Sequence, residues 1–124
     1  MDIWNLGLEL VKQIYKLTED FTRQELYGLA SQMRCSAISI PSNIAEGFRQ
    51  QHNKEYKQFL SLGSCAELET QITIAKELNY IPNEKESALL EKLDYLSRTT
   101  SNLLKSIMQS TKQNTHDALR ITQD

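Results

Sequence analysis

Apolar residues recur at intervals of three and four along most of this chain, which is the spacing of an α-helix. The first segment predicts a helix over residues 3–18, and two neighbouring apolar rows run along it. One row consists of Trp4, Leu8, Val11, Tyr15 and Thr18, and the other of Leu10, Ile14, Leu17 and Phe21. This helix therefore has a wide apolar face.

The second segment predicts a longer helix that begins after a capping signal. Thr22 followed by Glu25 matches a capping box, in which the threonine caps the helix and the glutamate bonds back to it. An apolar stripe then continues to a glycine and a polar run that end the helix. The stripe consists of Leu26, Leu29, Met33, Ala37, Ile40, Ile44 and Phe48.

Two further helices complete the pattern. One begins after Asn53, a good N-cap residue, and the other follows a break near Pro82 and has leucines at near-heptad spacing. Residues 111–124 are polar and aperiodic, which predicts a disordered tail. Four helices with short connections favour an all-α, antiparallel up-down-up-down four-helix bundle formed by residues 1–110 as one domain.

The first two helices differ in predicted length, at about 24 Å and about 39 Å. The second helix should therefore extend beyond the cover of the first after Ala37. Exposed apolar residues at that end predict a surface for self-association. They are Ile40, Ile44, Phe48, Tyr56 and Phe59.

Polar residues interrupt the second helix in the sequence SIPSNIAEGF, residues 39–48. The polar row consists of Gln32, Ser36, Ser39, Asn43 and Glu46. It forms either a polar pocket with a general acid or base, or a hydrogen-bonded joint that satisfies the backbone and the neighbouring helices. The joint is favoured because no histidine joins the row to activate a serine. Pro41 removes a backbone donor, so the helix either bends there or stops and restarts.

Short connections also fix approximate levels between helices. Arg34 of the second helix should lie level with Glu67 of the third, which predicts a structural ion pair. Ser64 and Glu67 would extend the polar row into an interhelical network that sets the register of the helices. Gly63 would let neighbouring helices approach closely.

Composition narrows the class of protein. The chain has 124 residues and a net charge of −2, which argues against nucleic-acid binding through bulk charge. Because the sequence has no run of about 20 apolar residues and no signal peptide, we predict a cytoplasmic protein without membrane contact. Cys35 and Cys65 should then be free thiols. His52 and His116 lack partners at metal-ligand spacing, so no metal or other cofactor is predicted.

One turn concentrates positive charge beside aromatic residues. Its candidate RNA contacts are Arg49, His52, Lys54 and Lys57, with Phe48 and Tyr56 between them. Cations next to aromatic rings suit single-stranded RNA. The alternative is a solvated loop with no partner.

Two segments, ELYGLASQMRCSAISIPSNIAEGF at residues 25–48 and FLSLGSCAELETQI at residues 59–72, resemble the four-helix bundle proteins of the 23S rRNA intervening-sequence family. Trp4 and the segment IYKLTEDF also fit, so the resemblance covers residues 1–110. It implies a bundle that assembles as a homopentamer and has no enzymatic activity. The matching positions are Gln32, Arg34, Ser39, Asn43, Glu46, Gly47, Ser64, Glu67 and Glu69.

The chain also departs from its relatives. Related bundle proteins that accompany reverse transcriptases of diversity-generating elements bind nucleic acid through a strongly basic surface, whereas this chain is slightly acidic. Thr22 stands where the family often has proline. We therefore expect a non-enzymatic oligomeric adaptor whose further partner is RNA or a nucleic-acid-binding protein. The alternative is a protein-binding scaffold without nucleic-acid contact.

Overall fold

The computed structural model describes residues 2–50 and 52–123, and all side chains in those ranges except those of residues 118 and 120–123. The helices are α1 (Asp2–Thr18), α2 (Arg23–Leu26), α3 (Leu29–Arg49), α4 (Lys54–Glu77) and α5 (Asn83–Gln123). The four long helices pack against one another, and the described residues contain no β-strand. The all-α, four-helix prediction is confirmed.

Helix α1 buries one of its two apolar rows more completely than the other. Its buried residues are Ile3, Gly7, Leu10, Ile14 and Thr18. In the other row, Trp4 and Tyr15 are 36% and 41% exposed, whereas Leu8 and Val11 are half-buried and Val11 packs against the core. The wide apolar face predicted for this helix is therefore real, but the bundle covers it only in part.

The connection between α1 and α3 contains the short helix α2. Thr22 caps α2, since its hydroxyl oxygen accepts a hydrogen bond from the Glu25 backbone N–H at 3.4 Å. The prediction of one uninterrupted second helix is wrong, because α2 ends at Leu26 and α3 starts after Gly28. That glycine has φ −105° and ψ −104°, which lies outside the helical region and separates the two helices.

Side-chain contacts hold this connection against the turn between α4 and α5. The buried ring of Phe21 lies 5.3 Å from the ring of Tyr80, centroid to centroid. The Tyr80 hydroxyl donates a hydrogen bond of 3.1 Å to the Glu25 carboxylate, and this bond raises the pKa of Tyr80. The two connections are thus joined at one end of the bundle.

The inserted α2 changes how far α1 reaches along α3. Gly7 lies directly against Pro41, so α1 covers α3 well beyond Ala37. Ile40 and Ile44 are consequently 0% exposed within a single chain. Their predicted place at an uncovered end of the helix is wrong, because the connection is longer than the tight turn that the prediction assumed.

Helix α3 continues without a break through Pro41, which is itself buried. The sequence left a bend and a restart as alternatives, and the structure has one helix from Leu29 to Arg49. Next to the proline, the Ile40 carbonyl accepts a hydrogen bond of 3.3 Å from the Ser61 hydroxyl of α4. This bond joins α3 and α4, the most extensively packed pair of helices.

Close approach between helices occurs at two glycines other than the predicted one. A methyl group added to Gly7 would lie 3.2 Å from the Pro41 Cβ atom, and one added to Gly47 would lie 2.7 Å from the Gln58 amide nitrogen. Nothing outside its own helix lies within 4 Å of the equivalent position at Gly63. The predicted close approach at Gly63 is therefore wrong.

The core lies between the four long helices and is almost entirely aliphatic. Its fully buried large side chains include Leu10, Ile14, Met33, Ile40, Ile44, Leu68, Ile72 and Leu96. Burying one such side chain stabilises a fold by roughly 1.5–3 kcal/mol. The apolar stripes of the helices thus meet in one continuous core.

Helix α5 is much longer than its neighbours. The Thr111 hydroxyl donates a hydrogen bond of 3.0 Å to the Glu55 carboxylate in the first turn of α4. The N-terminus of α4 therefore lies level with Thr111. Beyond it, α5 continues for roughly 18 Å. The sequence predicted a disordered tail over residues 111–124, but residues 111–123 are helical. Asp124 lies outside the described residues.

Candidate nucleic-acid interface and assembly surface

The polar residues around Pro41 bond mainly to their own helix. The Ser39 hydroxyl donates to the Cys35 carbonyl at 3.0 Å, and the Asn43 amide donates to the Ser39 carbonyl at 2.8 Å. Both side chains are half-buried. Pro41 leaves the Ala37 carbonyl without its usual helical donor. The two side-chain bonds go to other carbonyls of α3, those of Cys35 and Ser39.

Besides the bond from Ser61 to the Ile40 carbonyl, two contacts between side chains link α3 to α4. Glu46 forms an ion pair of 2.7 Å with Lys57. The buried Ser36 hydroxyl donates a hydrogen bond of 3.4 Å to the Glu67 carboxylate. Of the other predicted motif positions, Gln32 is exposed and Ser64 is half-buried.

Arg34 contacts α1 and not α4. Its Nε atom donates a hydrogen bond of 2.8 Å to the Thr18 hydroxyl, and its guanidinium lies 4.6 Å from the centre of the Tyr15 ring. The predicted ion pair with Glu67 is not among the ion pairs of the described residues, so that prediction is wrong. The longer connection before α3 brings the end of α1 to the level of Arg34.

The basic turn, defined as Arg49, His52, Lys54 and Lys57, surrounds the connection between α3 and α4. Arg49, His52 and Lys54 are exposed, and none of them forms an ion pair within the described part of the chain. Lys57 is half-buried, and its charge is offset by Glu46. Three of the four predicted contacts are thus accessible to an external anion.

Three aromatic side chains are exposed beside the basic turn. Phe48, Tyr56 and Phe59 are 47%, 59% and 54% exposed. Of the five residues predicted for self-association, these three are available to a partner, whereas Ile40 and Ile44 belong to the core. Exposed rings and exposed cations, close together in the sequence here, are the components of a single-strand stacking site.

A second apolar surface was missed by the sequence prediction. It is a groove between α1 and α3, here called the α1–α3 groove, lined by Trp4, Leu8, Val11, Ile38, Pro41, Ser42 and Ala45. Ile38 is 42% exposed and Trp4 is 36% exposed. The signal was present in the sequence, because the row that starts at Trp4 is a second apolar row on a helix that needs only one for the core.

The two cysteines differ in accessibility and are both free thiols, as predicted. Burial raises the pKa of the Cys65 thiol to about 11, so this thiol stays protonated and unreactive. Cys35 is exposed on α3. The described residues include no group of three or more metal-ligating side chains, and no helix among them is long and apolar enough to cross a membrane.

Comparison with known proteins gives one family. A family described as "23S rRNA-intervening sequence protein" matches residues 1–102, which is most of the chain. The match includes the polar row, the basic turn and the α1–α3 groove. No curated protein matches the sequence.

Proposed function

Since the chain belongs to the 23S rRNA-intervening sequence protein family, we propose that it is a non-enzymatic, oligomeric four-helix adaptor that associates with RNA or a ribonucleoprotein in the cytoplasm. The observation that carries the RNA part of this proposal is the exposed basic turn with three aromatic rings beside it. The observation that carries the oligomer part is the second apolar row of α1.

The contacts between helices support an antiparallel bundle as the subunit of this assembly. Gly7, near the start of α1, lies against Pro41 late in α3, whereas Thr18, at the end of α1, bonds to Arg34 early in α3. Between α3 and α4, Ser36 early in α3 bonds to Glu67, whereas Glu46 late in α3 pairs with Lys57 near the start of α4. Each pair of contacts runs in opposite directions along the two helices.

Self-association follows from the α1–α3 groove. A surface helix needs one apolar stripe, and α1 has a second one that the bundle covers only in part, leaving Trp4 and Tyr15 exposed. A contiguous apolar surface of this kind is typical of an interaction site. We propose that the second face packs against another copy of the chain, and the family resemblance suggests five copies.

RNA contact follows from the basic turn. Arg49 and Lys54 supply positive charge for phosphates, and His52 adds a polar ring. The rings of Phe48, Tyr56 and Phe59 offer exposed faces for unpaired bases. In an oligomer this surface would be repeated, so positive charge would be concentrated although the net charge of the chain is −2.

The polar row supports the non-enzymatic part of the proposal. The Ser39 hydroxyl donates its hydrogen bond to the Cys35 carbonyl, and no side-chain base in the described part of the chain bonds to it. Glu46, the carboxylate of the same row, is held in its ion pair with Lys57. These side chains stabilise α3 and its contact with α4.

The RNA proposal is tested by fluorescence anisotropy with a labelled single-stranded oligonucleotide and the full chain. Replacing Arg49, His52 and Lys54 together by glutamine should weaken binding about tenfold or more, because each lost phosphate contact removes attraction. The slope of log K against log[salt] should fall by about 0.7 for each lost contact to a single strand.

A matched control separates local contacts from overall charge. Lys12 and Arg23 are exposed on α1 and α2, outside the basic turn, and replacing both by glutamine removes two positive charges, as many as replacing Arg49 and Lys54 removes. This control should bind RNA within about twofold of the unmodified chain. Equal binding by all three proteins, or no binding by the unmodified chain, would contradict the RNA proposal.

The alternative is a scaffold that binds only proteins. It is favoured by the net charge of −2 and by the ion pair that removes Lys57 from the basic turn. A chain that forms an oligomer through the α1–α3 groove but binds no oligonucleotide at low salt would support this second function.

A further inference from the structure

A groove between α1 and α5 concentrates positive charge at a place away from the basic turn. It is lined by Gln13, Lys16, Leu17, Lys85, Ala88, Leu89 and Lys92, and it is here called the lysine groove. Three of these seven residues are lysines and none is acidic. No residue of the basic turn or of the α1–α3 groove lines it.

The lysines of this groove form no ion pair with any acidic side chain that the structure describes. The ion pairs of the described residues involve other cations, namely Lys57, Lys76 and Arg98. Glu84 and Glu86 lie in the same helical turn as Lys85 but do not line the groove. Like charges that share one concave surface repel one another, so an external anion placed among them would be stabilised.

The floor of the groove is apolar. Leu89 is almost completely buried, Leu17 is half-buried and Ala88 is exposed. The groove exists because α1 packs less extensively against α5 than against α3, so the two helices leave a channel between them. A ligand that fits it needs an apolar strip with acidic groups on either side.

From this geometry we infer that the lysine groove binds an acidic amphipathic helix of a partner protein. An amphipathic helix lays its apolar face into such a groove through anchors at intervals of three, four and seven residues. Lys85 and Lys92 are seven positions apart on α5, about 10.5 Å along its axis. Acidic residues seven positions apart on the partner helix would face them, and Lys16 lies across the groove on α1.

The same features make nucleic acid a poorer occupant. No aromatic residue and no arginine lines the groove, so it offers neither a stacking platform for bases nor a bidentate contact for phosphate. A phosphate backbone would also leave the leucine floor without an apolar partner. The inferred partner is therefore additional to the RNA proposed above and uses a separate surface.

The experiment uses the full chain and a synthetic two-heptad helical peptide with leucines on one face and flanking glutamates seven positions apart. Binding measured by fluorescence anisotropy should weaken as salt rises. Replacing Lys16, Lys85 and Lys92 by glutamine should weaken it about tenfold or more. A peptide with glutamines in place of the glutamates should bind the unmodified chain as weakly as the acidic peptide binds the triple lysine variant.

Two further variants control for charge and for folding. Replacing Lys54, Lys105 and Lys112 by glutamine makes the same change in net charge outside the groove and should leave peptide binding within about twofold. Ala88→Glu places a carboxylate in the groove at an exposed helical position and should abolish binding while the far-UV circular dichroism stays unchanged.

Three results would overturn the inference. They are no binding of the acidic peptide by the unmodified chain, equal weakening in the two triple lysine variants, and full binding by Ala88→Glu. If the groove variant lost affinity for a single-stranded oligonucleotide but not for the peptide, the occupant would be nucleic acid and the inferred partner would be wrong.

Discussion

Thr18 and Thr100 are both fully buried, but only the Thr18 hydroxyl has hydrogen-bond partners among the described residues. The Thr18 hydroxyl donates to the Ile14 carbonyl at 2.8 Å and accepts from the Arg34 guanidinium at 2.8 Å. The Thr100 hydroxyl has no hydrogen-bond partner among the described residues. A buried polar atom without a partner costs free energy, whereas a satisfied one stabilises the fold.

Replacing each threonine by valine should therefore change stability in opposite directions. Thr100→Val should raise the free energy of unfolding by about 1 kcal/mol, because an unsatisfied buried hydroxyl is removed. Thr18→Val should lower it by about 1–2 kcal/mol, because a bond to a charged group is lost. Chemical denaturation at one protein concentration measures both, and the same sign of change in both variants would contradict the assigned bonding.

At the scale of single residues, a hydrogen bond could be predicted from the sequence where its donor and acceptor are close together along the chain. The capping of α2 by Thr22 could be predicted because donor and acceptor are three positions apart. The partner of Arg34 could not, because it depends on the level of α1 beside α3. That level is set by the connection between them and not by the residues around Arg34.

At the scale of elements, glycines distinguish a tight helix contact from an exposed helix surface. Gly7 and Gly63 both lie inside long helices. A methyl group at Gly7 would meet the Pro41 ring at 3.2 Å and 3.4 Å, whereas at Gly63 it would meet nothing. The proline ring is rigid and buried, so it has little freedom to move away.

Alanine at the two positions should accordingly have different effects. Gly63→Ala should raise the free energy of unfolding by about 1 kcal/mol, because alanine loses less backbone entropy in a helix. Gly7→Ala gains the same term but overpacks the contact with Pro41, so it should lower the free energy of unfolding by about 1 kcal/mol. Equal stabilisation by both changes in a thermal or urea titration would show that α1 and α3 are not in close contact at Gly7.

The helices themselves could be predicted from periodicity, but their register could not. The bounds of α1 follow from apolar spacing, and α4 starts directly after Asn53 as predicted, although the Asn53 side chain makes no capping hydrogen bond. The break at Gly28 could not be predicted, because Thr22 already provides a helix start before it and the apolar stripe continues after it. An interrupted helix lengthened the connection and moved Ile40 and Ile44 from a predicted surface into the core.

At the scale of the whole molecule, the bundle leaves two types of surface uncovered. One is apolar, the α1–α3 groove, and the other is charged, namely the basic turn and the lysine groove. The basic turn could be predicted because its residues are close together in the sequence. The lysine groove could not, since it joins residues from the end of α1 to residues from the start of α5.

The apolar surface gives the most direct variant for testing assembly. Leu8 and Ile38 lie on opposite sides of the α1–α3 groove, and they are half-buried and exposed respectively. Replacing both by glutamate therefore introduces two negative charges into the proposed subunit contact without entering the core. A matched control introduces glutamate at Leu78 and Tyr95, which are exposed outside the groove. The control should assemble like the unmodified chain.

Sedimentation velocity of the full chain at micromolar concentration tests the proposed assembly. A pentamer should sediment as one species with about five times the 14.3 kDa mass of the chain, and replacing both Leu8 and Ile38 by glutamate should give a 14.3 kDa monomer. An unmodified chain that sediments as a 14.3 kDa monomer at that concentration would contradict the proposed assembly.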